Sequence, residues 1–159
     1  MTDAPEAQPH PLVQKLLAWD PKAVVEASEF RGELTITAPS ERLEQIAEDL
    51  RAAPGLEFDF LSDITAVDRF PMEPRFELNY HLLSIPLRHT VRLRAKVPGT
   101  NPVIATVTPV WPTANWHERE IFDLFGVRFD GHPDLRRILM PDDWEGYPLR
   151  KDYPVEGFR

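Results

Sequence analysis

Residues 115–154 read NWHEREIFDLFGVRFDGHPDLRRILMPDDWEGYPLRKDYP, a stretch dense in turns, aromatic side chains and alternating charge. It begins with a short helical pattern in which Ile121, Phe122 and Phe125 form an apolar packing face. Gly126 follows, at the position where a left-handed residue commonly ends a helix. We name the residues beyond it, 127–159, the C-terminal strap; its last part, 149–159, shows neither helical periodicity nor strand alternation.

The polar residues of this helix have a structural explanation. Asn115 can cap the first turn, and Glu118, three residues further on, can reach back to complete a variant of the capping box. Arg119 and Asp123 are four residues apart, a spacing that predicts an ion pair on the helix surface. We therefore expect these side chains to stabilise the helix or an interface.

An enzyme hypothesis would use His117, Glu118 and Glu120 for metal binding or acid–base chemistry. The spacing argues against it, because a metalloprotease helix needs two histidines four residues apart and only His117 is present. Glu118 and Glu120 are two residues apart, so they do not share a helix face. The sequence offers no complete active site, and no phosphate loop or dinucleotide fingerprint.

The C-terminal strap carries two arginines beside an apolar patch, and two interpretations of them remain open. In the first, Arg137 pairs with Asp134 within a short capped helix. In the second, Arg136 and Arg137 are presented to carboxylates of a partner. The end of the strap interleaves aromatic residues with Arg150 and Lys151, which favours docking on another protein over a free tail.

The preceding residues predict an α+β fold, with a largely antiparallel or mixed β-sheet packed on helices and an extended C-terminal strap. We divide the chain into a flexible N-terminal tail (1–11), an α+β domain (12–126) and a partner-docking segment (127–159). Ser40 is expected to cap the second helix. The helices are predicted at 12–19 and 41–50, and the strands at 33–37, 56–67, 76–83, 88–97 and 103–110.

One predicted strand has a strongly basic face made by Arg88, Arg92, Arg94 and Lys96. It could bind an anion or an acidic partner. The alternative is a solvated sheet face whose charges pair across strands with acidic residues. The acidic residues considered for this pairing are Glu57, Asp59 and Glu77.

Composition excludes several classes of function. The net charge of −8 argues against general nucleic-acid binding. The absence of cysteine excludes disulfides, a cysteine nucleophile and ordinary cysteine-ligated clusters. No apolar run is long enough for a membrane helix, and the first residues do not predict a secretory signal.

The motif residues Glu118-Arg119-Glu120, Gly131 to Leu139 and Pro148 to Pro154 closely resemble the 30-kDa subunit family of respiratory complex I, the bacterial NADH–quinone oxidoreductase. The resemblance covers roughly residues 30–159. It implies a non-catalytic peripheral-arm subunit without an active site of its own, within an NADH:quinone oxidoreductase that translocates protons.

The resemblance also implies the chain's partners and place. The 49-kDa subunit and other peripheral-arm subunits of complex I would be partners, on the cytoplasmic side of the cell membrane. This chain would bind no cofactor, whereas NADH, FMN, iron–sulfur clusters and quinone would belong to partner subunits. The expected interface residues are Glu118, Arg119, Glu120, Asp123, His132, Asp134, Arg136, Arg137, Trp144, Arg150, Lys151 and Tyr153.

Two other functions remain as alternatives. Related membrane-bound hydrogenases and ferredoxin-driven complexes contain equivalent subunits that resemble the same motif. A stand-alone binding module would use the basic strand face.

Overall fold

The computed structural model describes residues 8–158. The flexible tail predicted for residues 1–11 therefore falls mostly outside the described residues. The first helix begins at Pro11, where the ring Nδ1 of His10 accepts a hydrogen bond from the N–H of Leu12 at 3.2 Å. The elements are α1 (Pro11–Trp19), β1 (Glu26–Phe30), β2 (Glu33–Thr37), α2 (Leu43–Ala52), β3 (Phe60–Asp68), β4 (Phe76–Ser84), β5 (His89–Val97), β6 (Val103–Ala105), α3 (Ala114–Phe125) and β7 (Arg128–Asp130).

Five strands form one mixed sheet in the order β1-β2-β5-β4-β3. The β1–β2, β5–β4 and β4–β3 pairs are antiparallel, whereas β2 runs parallel to β5 because the chain passes through α2, β3 and β4 between them. A smaller parallel pair joins β6 and β7. The predicted α+β class, with a largely antiparallel or mixed sheet packed on helices, is confirmed.

The core lies between the helices and the apolar face of the sheet. The predicted alternation of β4 is confirmed, since its apolar row is almost fully buried. The helical stripe of α2 packs on the same side. The buried rows are Phe76, Leu78, Tyr80 and Leu82 of β4, and Leu43, Ile46, Ala47 and Leu50 of α2. Helix α3 packs on the same sheet through β3, and Phe125 of α3 lies edge-to-face on Phe76 of β4.

Strand β1 was not predicted, because all five of its residues are exposed and leave no apolar alternation. It pairs with β2 through a tight turn in which Arg31 and Gly32 both have positive φ, 52° and 82°. Two successive left-handed residues match the twist of a hairpin. Pairing geometry, not burial, therefore defines this strand.

Two predicted strands are wrong in their bounds. Phe58 is fully buried and Phe60 is 45% exposed, so they do not share a strand face. The strand starts only at Phe60 because Glu57 takes a φ of 48° and the N–H of Phe58 donates to the carbonyl of Leu50. The strand predicted at 103–110 ends at Ala105, since the backbone then turns towards α3.

Two further predictions concern Ser40 and the basic face. Ser40 begins a short 3-10 helix before α2, and its side chain does not cap α2 as predicted. The cross-strand interpretation of the basic face is supported, because Arg94 lies 3.2 Å from Glu77 and Arg92 lies 3.3 Å from Glu33. The pairing considered for Glu57 and Asp59 is wrong, since within residues 8–158 neither forms an ion pair with this face.

Candidate partner interface

Helix α3 places the motif residues on different faces. It ends at Gly126, whose φ of 75° confirms the predicted left-handed end of the helix. Glu118 and Asp123 are fully buried and Arg119 is 8% exposed, whereas Glu120 is exposed. A buried carboxylate without partners is strongly destabilising, so the groups that satisfy Glu118 and Asp123 determine how α3 is attached.

Glu118 is buried against the loop that follows β6. Its carboxylate accepts hydrogen bonds from Oγ1 of Thr106 at 2.5 Å and from the N–H of Val107 at 2.8 Å. Burial raises the pKa of Glu118 to about 7, although both hydrogen bonds oppose this. The predicted capping box is wrong: Thr113 precedes the helix, Asn115 lies inside it, and Glu118 points to the loop.

His132 joins the first turn of the strap to α3. Its Nδ1 accepts the N–H of Asp134 at 2.9 Å, and its Nε2 lies 3.1 Å from the carbonyl oxygen of Asn115. A ring nitrogen that accepts a hydrogen bond carries no proton, so Nε2 carries it and donates to Asn115 in a neutral imidazole. Nε2 also lies 3.8 Å from the carboxylate of Glu118. Within residues 8–158, no cluster of three or more His, Asp or Glu side chains is placed to hold a metal ion.

Asp123 anchors the middle of the strap. Burial acts to raise the pKa of Asp123, but hydrogen bonds from three backbone N–H groups and from Arg137 outweigh it and lower the pKa. The predicted Arg119–Asp123 pair is wrong, and the Arg137–Asp134 pair of the first interpretation does not form. Arg137 pairs with Asp123 at 2.7 Å, and Arg136 pairs with Asp134 at 2.9 Å. The three backbone donors are Ile138, Leu139 and Met140, at 3.2, 2.7 and 2.9 Å.

Arg119, one helical turn before Asp123, also ties α3 to the strap. Its guanidinium donates to the carbonyl oxygens of Arg136 and Arg137 at 3.1 and 3.2 Å and lies over the ring of Trp116 at 5.3 Å. The strap carries no regular helix or strand between 131 and 158, so side chains satisfy part of its backbone. Arg119 is therefore engaged within the chain.

A second attachment joins the strap to the sheet through Arg75, Asp68 and Asp152, which were not among the predicted interface residues. Arg75, nearly buried, lies 2.8 Å from Asp68 and 2.7 Å from Asp152. The hydrogen bonds from Arg75 lower the pKa of both carboxyl groups. Asp68 also accepts the N–H of Lys151 at 2.8 Å. These partners lie 77 and 83 positions apart, so no local spacing could have indicated them.

Arg150 holds the strap across the end of α3. Its Nε donates to the carbonyl oxygen of Phe125 at 2.5 Å, and its guanidinium lies over the rings of Tyr147 and Phe76 at 4.8 and 5.2 Å. Such cation–π contacts contribute about 0.5–2 kcal/mol each. Arg150, predicted as an interface residue, is thus engaged within the chain.

The last aromatic residues of the motif remain partly open. Trp144 is 40% exposed, and its carbonyl oxygen accepts a hydrogen bond from Arg137 at 3.0 Å. Tyr153 donates to the carbonyl oxygen of Glu145 at 3.4 Å and packs edge-to-face on Phe158 at 5.4 Å between ring centroids. The backbone is held here while the rings are accessible.

The predicted interface residues therefore divide into two groups. Those engaged within the chain are Glu118, which is bonded to the loop after β6, and the residues that hold the strap, Arg119, Asp123, His132, Arg137 and Arg150. Those exposed are Glu120, Asp134, Arg136, Trp144 and Lys151, with Tyr153 half-buried. The exposed group is accompanied by three large apolar side chains, Trp116, Leu139 and Leu149, which are 60%, 61% and 52% exposed.

The sheet, the buried acidic residues of α3 and the hydrogen-bonded strap define a small α+β domain whose C-terminal segment is attached to it by side-chain hydrogen bonds. The family model described as "Respiratory-chain NADH dehydrogenase, 30 Kd subunit" matches residues 36–159. The chain belongs to this family, which confirms the resemblance seen in the motif.

Similar proteins agree with this assignment. The C subunit of the NADH-quinone oxidoreductase of Roseiflexus castenholzii is 49% identical over 144 residues, which cover 91% of this chain and 83% of the relative. The corresponding protein of Geobacter sulfurreducens is 49% identical over 136 residues, which cover 85% of this chain and 83% of that relative. These relatives are subunits of an enzyme complex.

Two solved structures share the fold. The trypsin-resistant fragment (1-134) of Nqo5 has a TM-score of 0.61 at 35% identity and covers 69% of this chain and 89% of its own length. A chain of the membrane-bound sulfane sulfur reductase, an archaeal respiratory membrane complex, has a TM-score of 0.77 at 29% identity. The match covers 91% of this chain and 84% of that one. In residues 8–158, no helix has the length and apolar character needed to cross a membrane.

Proposed function

We propose that this chain is a peripheral-arm subunit of a proton-translocating NADH–quinone oxidoreductase that packs on the 49-kDa subunit and supports assembly and electron transfer to quinone. The observation that carries the proposal is the strap. It has almost no regular secondary structure, yet buried Asp123, Arg119 and Arg75 hold it in one conformation. A segment ordered in advance loses less conformational entropy when a partner binds.

The exposed side chains around the strap suit an intersubunit contact. The ring of Trp116 lies against the Arg119 guanidinium, which in turn holds the strap backbone just before exposed Leu139. The exposed pair of Arg136 and Asp134 belongs to the same part of the strap. Interfaces combine an apolar, aromatic centre with a polar rim in this way. We assign this surface to the 49-kDa subunit.

The proposal places the redox groups in other subunits. This chain has no cysteine to ligate an iron–sulfur cluster, and Glu118, a carboxyl group with a strongly raised pKa, is enclosed between α3 and the β6 loop. NADH, FMN, the iron–sulfur clusters and quinone would bind partner chains. Attachment to the cytoplasmic side of the membrane would then come through the complex.

A second candidate is the equivalent subunit of a related complex with another electron donor. The similarity to a chain of the sulfane sulfur reductase complex supports this second candidate, because that chain shares this fold. Relatives near 49% identity that are named as subunits of NADH-quinone oxidoreductase favour the first candidate. NADH oxidation by the purified complex distinguishes the two.

The experiment is affinity purification through a tag on this chain expressed in its native host. We expect the 49-kDa subunit in equal amount, together with NADH:quinone activity. Leu139→Asp should lower recovery of the 49-kDa subunit, while Val25→Asp, at a side chain of similar exposure (61% and 68%), should not. A tagged chain that purifies alone from cells with a complete complex would refute the proposal.

A further inference from the structure

The open edge of the five-stranded sheet has backbone groups that nothing in the described chain uses. β3 is the last strand and pairs only with β4 within residues 8–158. The N–H of Arg69 donates to the carbonyl oxygen of Arg75 at 2.8 Å, which sets the alternation of this antiparallel ladder. Every second residue back from Arg69 bonds to β4 in the same way. Ile64 and Ala66 lie between those residues, so their N–H and C=O groups point away from β4.

A groove of about 370 Å³ runs between this edge and helix α3. Residues 63–66 of β3 line one side. Consecutive strand residues project to opposite faces, so a cavity that touches all four lies along the strand edge and not on one face. One stripe of α3 forms the other side, and Leu149 of the strap closes the end. The stripe includes His117, Glu120, Ile121 and Leu124.

The chemistry of this groove changes from its floor to its mouth. Ile64 and Ile121 are buried and make an apolar floor. At the mouth, Glu120 is exposed and Asp63 is half-exposed, its carboxylate hydrogen-bonded to His81. An extended peptide fits both features, because its backbone pairs with a strand edge while its side chains point alternately into pockets and outwards.

We infer that this groove receives an extended segment of the partner subunit, which adds to β3 as a sixth strand and places a basic side chain opposite Glu120. The inference rests on the proposed function and identifies a binding mode at a groove that shares Glu120 and Leu149 with the exposed residues described above. The opposite sheet edge is a poorer candidate, since residues 8–10 of this chain lie beside β1. Acidic residues at the mouth supply the charge complementarity that selects the segment.

The first test is hydrogen–deuterium exchange with residue resolution, on the isolated full chain and on the purified complex. In the isolated chain the N–H groups of Ile64 and Ala66 should exchange rapidly. In the complex both should slow by at least about tenfold, since strand pairing protects them. Unchanged exchange at both amides in an intact complex overturns the inference and leaves the proposed function standing.

The second test uses variants in the assembled complex. Ala66→Pro removes an N–H that faces outwards, so the β3–β4 ladder keeps its hydrogen bonds while the added strand loses one. Glu120→Lys reverses the charge at the mouth, and Glu48→Lys makes the same change on the exposed side of α2. We expect Ala66→Pro and Glu120→Lys, but not Glu48→Lys, to lower the recovered complex at least about threefold.

Thermal unfolding of each isolated variant separates misfolding from lost binding. Where Ala66→Pro does not fold, Glu120→Lys and the exchange measurement decide. Equal recovery with Glu120→Lys and Glu48→Lys overturns the inference. Absence of the chain from the purified complex overturns the proposed function, and the inference falls with it.

Discussion

Glu118 provides a quantitative test of the packing between α3 and the β6 loop. The carboxyl group is fully buried, and burial raises its pKa from 4.5 to about 7 in the folded protein. Between these values the unfolded chain releases a proton that the folded chain keeps, so stability falls as pH rises. At about 1.4 kcal/mol for each pKa unit, the loss amounts to about 3 kcal/mol above pH 7.

Glu118→Gln should remove this loss. The amide can accept the N–H of Val107 and donate to Oγ1 of Thr106, so both hydrogen bonds are kept without a charge. The variant should match the wild type near pH 4.5 and be more stable at pH 8 by about 3 kcal/mol, or about 10 °C in melting temperature.

The assay is urea unfolding of the isolated chain from pH 4 to pH 8.5. Glu120→Gln, on the exposed side of the same helix, is the control and should follow the wild type at every pH. The reasoning is refuted if the difference between Glu118→Gln and the wild type is the same at pH 4.5 and pH 8.

Three further predictions concern the strap. Arg137→Glu should destabilise the isolated chain by about 3–5 kcal/mol, because it leaves a buried carboxylate unpaired, whereas Arg136→Glu should change stability by less than about 0.5 kcal/mol; equal effects in urea unfolding would contradict this. Gly126→Ala should cost at least about 2 kcal/mol, since its φ is 75° and the new Cβ would lie 2.5 Å from the Tyr147 ring; an unchanged melting temperature would contradict both causes. Asp152→Asn should cost less than about 1 kcal/mol because this carboxyl group is 47% exposed, yet it should speed tryptic cleavage of the strap, and an unchanged cleavage rate would contradict the attachment.

The sequence predicted elements well where one face is apolar. The alternation in β4 and β5, the stripe of α2 and the left-handed end of α3 were all visible. Strand β1 could not be predicted from the sequence, because none of its residues is buried. The sheet order also required β2 to lie beside β5 in parallel, a pairing between distant residues that hairpin rules do not reveal.

The motif was located correctly, but its pairings were not. Local rules assigned Glu118 to a capping box and Arg119 to Asp123 because they consider only residues three or four apart. The actual partners, Thr106 for Glu118 and the carbonyl oxygen of Arg136 for Arg119, lie 12 and 17 positions away. Arg75 was missed for the same reason, since its strap partner is 77 positions away.

The most direct measurement of the central claim is an electron cryo-microscopy structure of the complex that contains this chain. We expect Trp116, Leu139 and Leu149, each more than half exposed in the isolated chain, to be buried against the 49-kDa subunit, with the strap in the conformation described above. A structure in which these three side chains face solvent, or in which the strap departs from Asp123 and Arg75, would contradict it.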